Sequence, residues 1–284
     1  MDLKNPTTYL TVKDHSVSHE TFTLLLDEEL QLLKTQPQPL AENLGRYYES
    51  DDYISHTDGK RTFFEKLYHI VKQKALRDKI KLIQGFNPCK GNLLDIGAGT
   101  GDFLSEANRS GWTIMGIEPN NKAKAIAKIK GVNFAESLQN IEKHSQDVIT
   151  MWHVLEHVPN LKEQIKELKR ILKPDGTIVI AVPNFKSYDA QHYGIFWAAY
   201  DVPRHLWHFS KTAIKKLFGN EDMDLIKILP MKFDSFYVSL LSEKYKTGKM
   251  NFISGFLTGL KSNVKAKQNM EYSSHIYIIK NAKN

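Results

Sequence analysis

Two groups of residues in this sequence have the types and spacing for chemistry. The first is Asp95-Ile96-Gly97-Ala98-Gly99-Thr100-Gly101, which follows the apolar pair Leu93-Leu94 and opens into a helical pattern. Glycines at alternate positions between a strand and a helix let a ligand press against the backbone. The next apolar run, Thr113 to Ile117, ends in Glu118, where a doubly wound sheet places a carboxylate that accepts hydrogen bonds from ribose hydroxyls. The dinucleotide fingerprint wants a third glycine at position 102, which is Asp102 here, and its charge would sit badly beside a pyrophosphate. The second group lies in Tyr200-Asp201-Val202-Pro203-Arg204-His205-Leu206-Trp207-His208-Phe209-Ser210. His205 is the first candidate general base and His208 the second, since imidazole exchanges protons near neutral pH. The same acid and basic groups also have a plainer use, pinning the loop through hydrogen bonds.

A third pattern, His153-Val154-Leu155-Glu156-His157, matches the H-x-x-E-H arrangement of some zinc peptidases. That pattern needs a helix, whereas this segment directly follows an apolar strand and meets Pro159 soon after. No metal is assigned to it.

Positioning these groups requires a regular frame. From Asn92 the sequence alternates strand and helix, the signature of a parallel sheet covered on both faces. Strands are expected at 92–96, 112–117, 132–134, 147–151 and 177–182, with helices near 101–109, 120–130, 137–142 and 161–172. A helix capped by Ser210 follows over about 211–218, then strands near 224–230 and 273–280. Between those last strands lie two helical stretches, roughly 236–246 and 250–266, forming an insertion over about 236–268 that reads as a lid or an interaction surface. Residues 1–39 form a small hairpin-like extension, closed by Pro37-Gln38-Pro39, and 40–284 a single domain that includes a long helix from about 62 to 83.

The 284 residues are 41% apolar and 25% charged, ordinary values for a folded globular chain. The lone Cys89 excludes an internal disulfide and suits a reducing cytoplasm. The start lacks a basic and apolar signal pattern, and no apolar run approaches the ~20 residues of a membrane span. The net charge of +7 reads as solvated helix faces: Lys162, Lys166, Lys169 and Lys173 lie opposite Leu161, Ile165, Leu168 and Leu172 at helical spacing.

The glycine loop, Glu118-Pro119-Asn120, the segment Asp147 to Val158 and Leu172-Lys173-Pro174-Asp175-Gly176-Thr177 resemble, in order, the motifs of class I methyltransferases. Over about residues 40–230 and the final strand the chain is similar to the branch that holds ubiquinone-pathway-like and sugar methyltransferases. The resemblance implies a Rossmann-like α/β fold with a mostly parallel seven-stranded sheet, and S-adenosylmethionine as cofactor. It implies that Asp95, Gly97, Ala98, Gly99 and Gly101 hold the methionine end, that Glu118 and Pro119 face the ribose, and that Glu136, Ser137 and Leu138 border the adenine. Trp152 and His153 would close the pocket, Trp152 either touching the ligand or packing in the core. Tyr48, Tyr53 and His56 resemble the amino-terminal cover of the cofactor. The extension resembles the zinc-ribbon module of some relatives with its cysteines missing, so packing must replace the metal.

The expected activity is methyl transfer to a small-molecule acceptor, on a hydroxyl or carbon of a phenol, sugar or lipid-linked intermediate. Two alternatives stand beside it: RNA methylation, which the scattered lysines and lack of an RNA-binding module disfavour, and a cofactor-binding protein that has lost catalysis. Neither oligomeric state nor acceptor is legible.

Overall fold

The computed structural model describes residues 3–48 and 63–283. Its centre is a six-stranded sheet in the order β5-β4-β6-β7-β10-β9: β4 is Asn92–Ile96, β5 Thr113–Ile117, β6 Gln146–Trp152, β7 Leu172–Pro183, β9 Met223–Pro230 and β10 Ser274–Asn281. β5, β4, β6 and β7 run parallel, and β10 is antiparallel to both β7 and β9. Since successive side chains leave a strand on opposite faces, each strand feeds two cores. Leu94, Ile149, Ile178, Ile180 and Tyr277 join one cluster with Leu161, Ile165, Leu168, Ile214 and Phe218. Leu93, Val148, Val179 and Ile278 join the other with Leu76, Ile80, Phe103 and Leu104. Helices α1 (Phe63–Phe86) and α2 (Asp102–Arg109) cover the second face; α4 (Leu161–Ile171) and α6 (Lys211–Gly219) cover the first. Helix α3, Asn121–Ile129, connects β5 to the bottom of the sheet's edge and is capped by Asn120, whose side chain accepts from the Lys122 and Ala123 amides.

Two expectations are corrected. The seventh strand near 132–134 is reduced to one bridge between Phe134 and Gly116, because the chain turns at once into the loop holding Glu136. The helix expected over 137–142 is a single turn, Leu138–Asn140.

The amino-terminal extension forms β1 (Thr7–Lys13), β2 (Thr21–Asp27) and β3 (Leu32–Gln36), an antiparallel meander. Its fourth strand comes from far along the chain: β8, Trp207–His208, pairs with β3 through Leu33↔His208 and Lys34↔Trp207. Val12, Phe22, Leu24 and Leu33 pack against Phe185, Trp197, Tyr200 and Val202. A hydrophobic core without thiolates therefore holds the meander, and it grips the loop that carries both candidate bases. The short helix α5, Tyr188–Tyr193, begins that loop region.

The insertion is a pair of helices, α7 (Asp234–Thr247) and α8 (Phe252–Asn269). Gly248, with φ 77°, ends α7 in the left-handed conformation that glycine adopts without strain.

Candidate functional site

The glycine loop leaves β4 with Gly97 at φ 73° and Gly99 at φ 53°. The Gly97 and Ala98 amides both donate to the Ile117 carbonyl, which folds the loop back over the end of β5. A Cβ on Gly97 would lie 2.3 Å from Val154 Cγ2, whereas nothing stands within 4 Å of a Cβ on Gly99. The first glycine is thus required by packing, and the second presents open backbone. Gly101, φ 75°, caps α2 and a Cβ there would meet Ala127 at 2.7 Å. Asp102 points away from the loop's open side and pairs with Lys72 and Lys130, each at 2.6 Å.

Glu118 sits against this loop. One carboxylate oxygen accepts from the Gly99 amide and the other from the Asn120 amide, both at 2.8 Å. The backbone fixes the carboxylate while each oxygen keeps a lone pair for a ligand. Asp95 is buried on β4 and its Oδ1 accepts from Thr150 Oγ1 at 2.6 Å. Burial pushes its carboxyl up to about 7, against the opposing effects of the Thr150 bond and the nearby Lys79. Lys79, on α1, is lowered by the same burial and its Nζ lies 4.1 Å from the centre of the Trp152 ring.

Trp152 also meets Phe103 edge-on at 5.6 Å, so core packing is real, yet its buried Nε1 has no hydrogen-bond partner. A buried donor without a partner is a group that a bound ligand would complete. The residues fit S-adenosylmethionine: unobstructed backbone at Gly99, carboxylates at Asp95 and Glu118, and an indole donor with no partner among the described residues. Pro119 is exposed beside Glu118, Glu136 is exposed, Ser137 is half-buried and bonds Asn140, and Leu138 is buried in the core. The border expected for the adenine is thus mixed, with Leu138 its apolar part. Tyr53 and His56 lie outside the described residues. Tyr48 meets His157 just beyond β6, its hydroxyl 3.1 Å from Nδ1.

His153 takes a left-handed φ of 57° and uses both ring nitrogens: Nδ1 lies 3.3 Å from Glu156 and Nε2 3.0 Å from Asp234 at the start of α7. Burial alone would lower it, but these two carboxylates prevail and raise it to about 10. The two histidines of the zinc-peptidase pattern turn to different partners, since His157 Nδ1 faces the Arg204 carbonyl at 2.9 Å.

Beyond β6, Glu156 is only 1% exposed, and neither carboxylate oxygen has a well-aligned hydrogen bond; the 3.3 Å His153 approach is an ion pair of poor geometry. Burial would raise its carboxyl, but His153, His205 and His157 together hold it below the ordinary carboxylate value. His157 is pushed down to about 4 by burial and by His205, and is therefore neutral. His205 places Nδ1 at 2.9 Å from the Ala199 carbonyl, an acceptor that assigns the proton to Nδ1 and leaves the Nε2 lone pair free. Its ring stands edge-on to His157 at 4.6 Å, and Nε2 is 3.8 Å from Asp201. One donor atom each of Glu156, His157 and His205 lie within 4.8 Å of one another, a spacing that suits a small polar group between them.

The loop's own scaffold meets this trio at Asp201 and at the Arg204 carbonyl. Arg204 forks onto Asp201 and also reaches Ser16 and the Tyr47 carbonyl. His208 is buried, held well below its usual value by burial, with Nε2 on Thr35 Oγ1 at 3.1 Å. The second candidate base is thus engaged by the meander, while the first keeps a free nitrogen. Sequence reading missed Lys79 and Asp234, and quoted Thr150, Glu156 and His157 only within the methyltransferase segment Asp147 to Val158 or the zinc pattern, with no role in the site. A lysine on a helix and a threonine in a strand carry no local signal, but a glutamate among Val154, Leu155 and Val158 does: a charge in an apolar stretch.

Residues 68–228 match the family described as "Methyltransferase domain". The chain belongs to this family. Its fold and its cofactor are those the motifs implied, a class I methyltransferase domain and S-adenosylmethionine. Among curated relatives, a ubiquinone biosynthesis O-methyltransferase of Nitrosospira multiformis is 24% identical over 58% of this chain and 75% of its own length. One of Sodalis glossinidius is 29% identical over 33% of this chain and 41% of its own, so the chain spans less than half of that relative. Two solved structures share the fold: magnesium protoporphyrin IX methyltransferase of Synechocystis with bound S-adenosylhomocysteine (TM-score 0.52, 13% identity, 84% of this chain and 92% of that one), and an S-adenosylmethionine-dependent methyltransferase of Archaeoglobus fulgidus (TM-score 0.51, 21% identity, 75% and 93%).

Proposed function

We propose that this chain transfers a methyl group from S-adenosylmethionine to a hydroxyl of a small-molecule acceptor, with His205 as the general base. The observation that carries the reading is the free Nε2 of His205 beside the buried, ionised Glu156. When bound, the cofactor supplies a methyl group already activated on its sulfonium. The protein's task is then to align an acceptor oxygen, exclude water and accept one proton. Transfer of that methyl group to the acceptor oxygen would release the hydroxyl proton, which His205 Nε2 would accept. Glu156 and Asp201 stabilise the resulting imidazolium, and the Ala199 carbonyl keeps the ring oriented, the division of labour of a carboxylate–histidine pair. Leu206 N donates to the Glu156 carbonyl at 2.7 Å, which ties the base-bearing loop to the strand end that closes the cofactor pocket.

The test is a turnover screen against phenols, sugars and lipid-linked hydroxyl compounds with the native protein and His205→Ala. A loss of ~10²–10⁴-fold in turnover at unchanged cofactor affinity is expected. Full turnover by the variant would remove the base role.

A further inference from the structure

The α7–α8 hairpin is built inside out. Along α8 the buried positions are Gly255, Thr258, Gly259, Ser262 and Ala266, and along α7 they are Ser235, Ser239, Ser242 and Glu243. Small and polar residues thus fill the seam. A Cβ on Gly255 would lie 3.0 Å from Leu240 Cα and one on Gly259 2.9 Å from Phe236 Cα, so the two backbones touch where glycines permit it. Several hydroxyls at the seam find partners: Ser235 Oγ donates to the Gly259 carbonyl, Ser254 Oγ to Glu243, and Ser262 Oγ to Asp189 on α5, while Ser239 Oγ is buried without one among the described residues. The large apolar residues point the other way. Phe252, Ile253, Phe256, Leu257, Leu260 and Val264 form one exposed stripe, with Ile253 76% and Phe252 67% exposed. A surface helix of a water-soluble domain has the reverse arrangement, and small residues at a helix seam with apolar residues outside is the pattern of helices in contact with lipid.

Charge decides which apolar partner fits. Between Met231 and Met270 there are seven lysines and two acidic residues, in a chain whose whole surplus is +7. Both acids are used inward: Asp234 on His153, and Glu243 on Tyr193 and Ser254. Lys249, Lys261, Lys265 and Lys267 are exposed on the same hairpin, with the Lys261 and Lys265 ammonium groups 5.3 and 4.2 Å from the Tyr188 ring. No helix among the described residues is long and apolar enough to cross a membrane. An apolar stripe bordered by lysines instead lies in the plane of an anionic lipid surface.

We infer that the α7–α8 hairpin docks this protein on an anionic lipid bilayer, with the α8 stripe seated among the acyl chains and its lysines on the headgroups. Asp234 ties the start of α7 to His153 at the end of β6, and the Ala198 amide donates to Ser242. Docking therefore anchors to the lipid surface the hairpin that contacts both His153 and the loop leading to His205. The acceptor class that this geometry serves is a hydroxyl compound carried in the bilayer, a point that rests on the methyl-transfer reading; the docking itself does not.

The experiment is sedimentation of the full chain with phosphatidylcholine vesicles, with and without phosphatidylglycerol. Binding that depends on phosphatidylglycerol is expected, weakened about tenfold or more by the joint variant Phe252→Ser, Phe256→Ser, Leu260→Ser and by Lys261→Glu with Lys265→Glu. These positions are exposed, and calorimetry with S-adenosylmethionine on each variant reports that the fold is intact. Absence of vesicle binding overturns the docking, as does a native dimer by light scattering that the serine variant converts to monomer. If vesicles bind but S-adenosylmethionine does not, docking stands and the methyl-transfer reading falls.

Discussion

At the scale of single residues, the chemistry rests on carboxylates placed where the backbone controls them. Glu118 is held by two amides, which leaves lone pairs for the ribose hydroxyls that we propose it binds. Glu118→Ala removes hydrogen bonds to a charged acceptor worth ~1.5–3 kcal/mol each, and a Kd for S-adenosylmethionine raised at least about tenfold in calorimetry is the expected result. Asp95 gives a pH dependence. Its folded value of about 7 lies above the ordinary 3.8, so the proton it keeps favours the fold fully below the ordinary value, and that contribution is lost as pH rises through about 7. A cofactor that brings an ammonium and a sulfonium favours the charged carboxylate, so binding expels the proton. Affinity should then rise from about pH 6 to about pH 8 and level off, with proton release visible as a buffer-dependent enthalpy; an Asp95→Asn variant should lose that slope.

These residue roles were unequally legible. The glycine loop and Glu118 are local in sequence and stand out as written, and His205 stands out as a histidine in a polar loop. Nothing local separates His205 from His208. What separates them is the fold, which sets His205 beside Glu156 and His157 and gives Nε2 of His208 to Thr35, a strand residue far away in sequence. Asp234 is likewise a helix-start acid until the fold sets it on His153.

Among elements, the parallel core follows directly from the alternation of apolar strands and amphipathic helices, while the meander's partner does not. A two-residue strand such as β8 has no periodicity to detect, and its pairing with β3 is decided by tertiary contact. Ser210 shows how tightly the two parts are joined: its hydroxyl caps α6 by accepting from the Ala213 amide and donates to the Gln31 carbonyl of the meander. Ser210→Ala should cost about 1–2 kcal/mol, read as a melting temperature lower by several degrees, while Kd for the cofactor stays within about twofold. Gly97→Ala should do more, since a methyl group 2.3 Å from Val154 at φ 73° forces the loop off β5; loss of cofactor binding in a folded protein is the signature in paired calorimetry and circular dichroism.

For the whole molecule, the arrangement is a class I methyltransferase domain with two additions that converge on one loop, the meander from one side and the α7–α8 hairpin from the other. The sequence marks the hairpin as helical and apolar. It does not reveal which face is buried, because Gly255, Gly259 and Ser262 resemble weak points in a helix until they are seen as its seam. The measurement that bears most directly on the domain as a whole is calorimetric titration of the purified chain with S-adenosylmethionine and its demethylated product, with NAD beside them. Saturable binding of the first two, with no binding of NAD, is the expected result. Binding of NAD alone, or no binding of any of the three, would contradict the assignment of the glycine loop and Glu118.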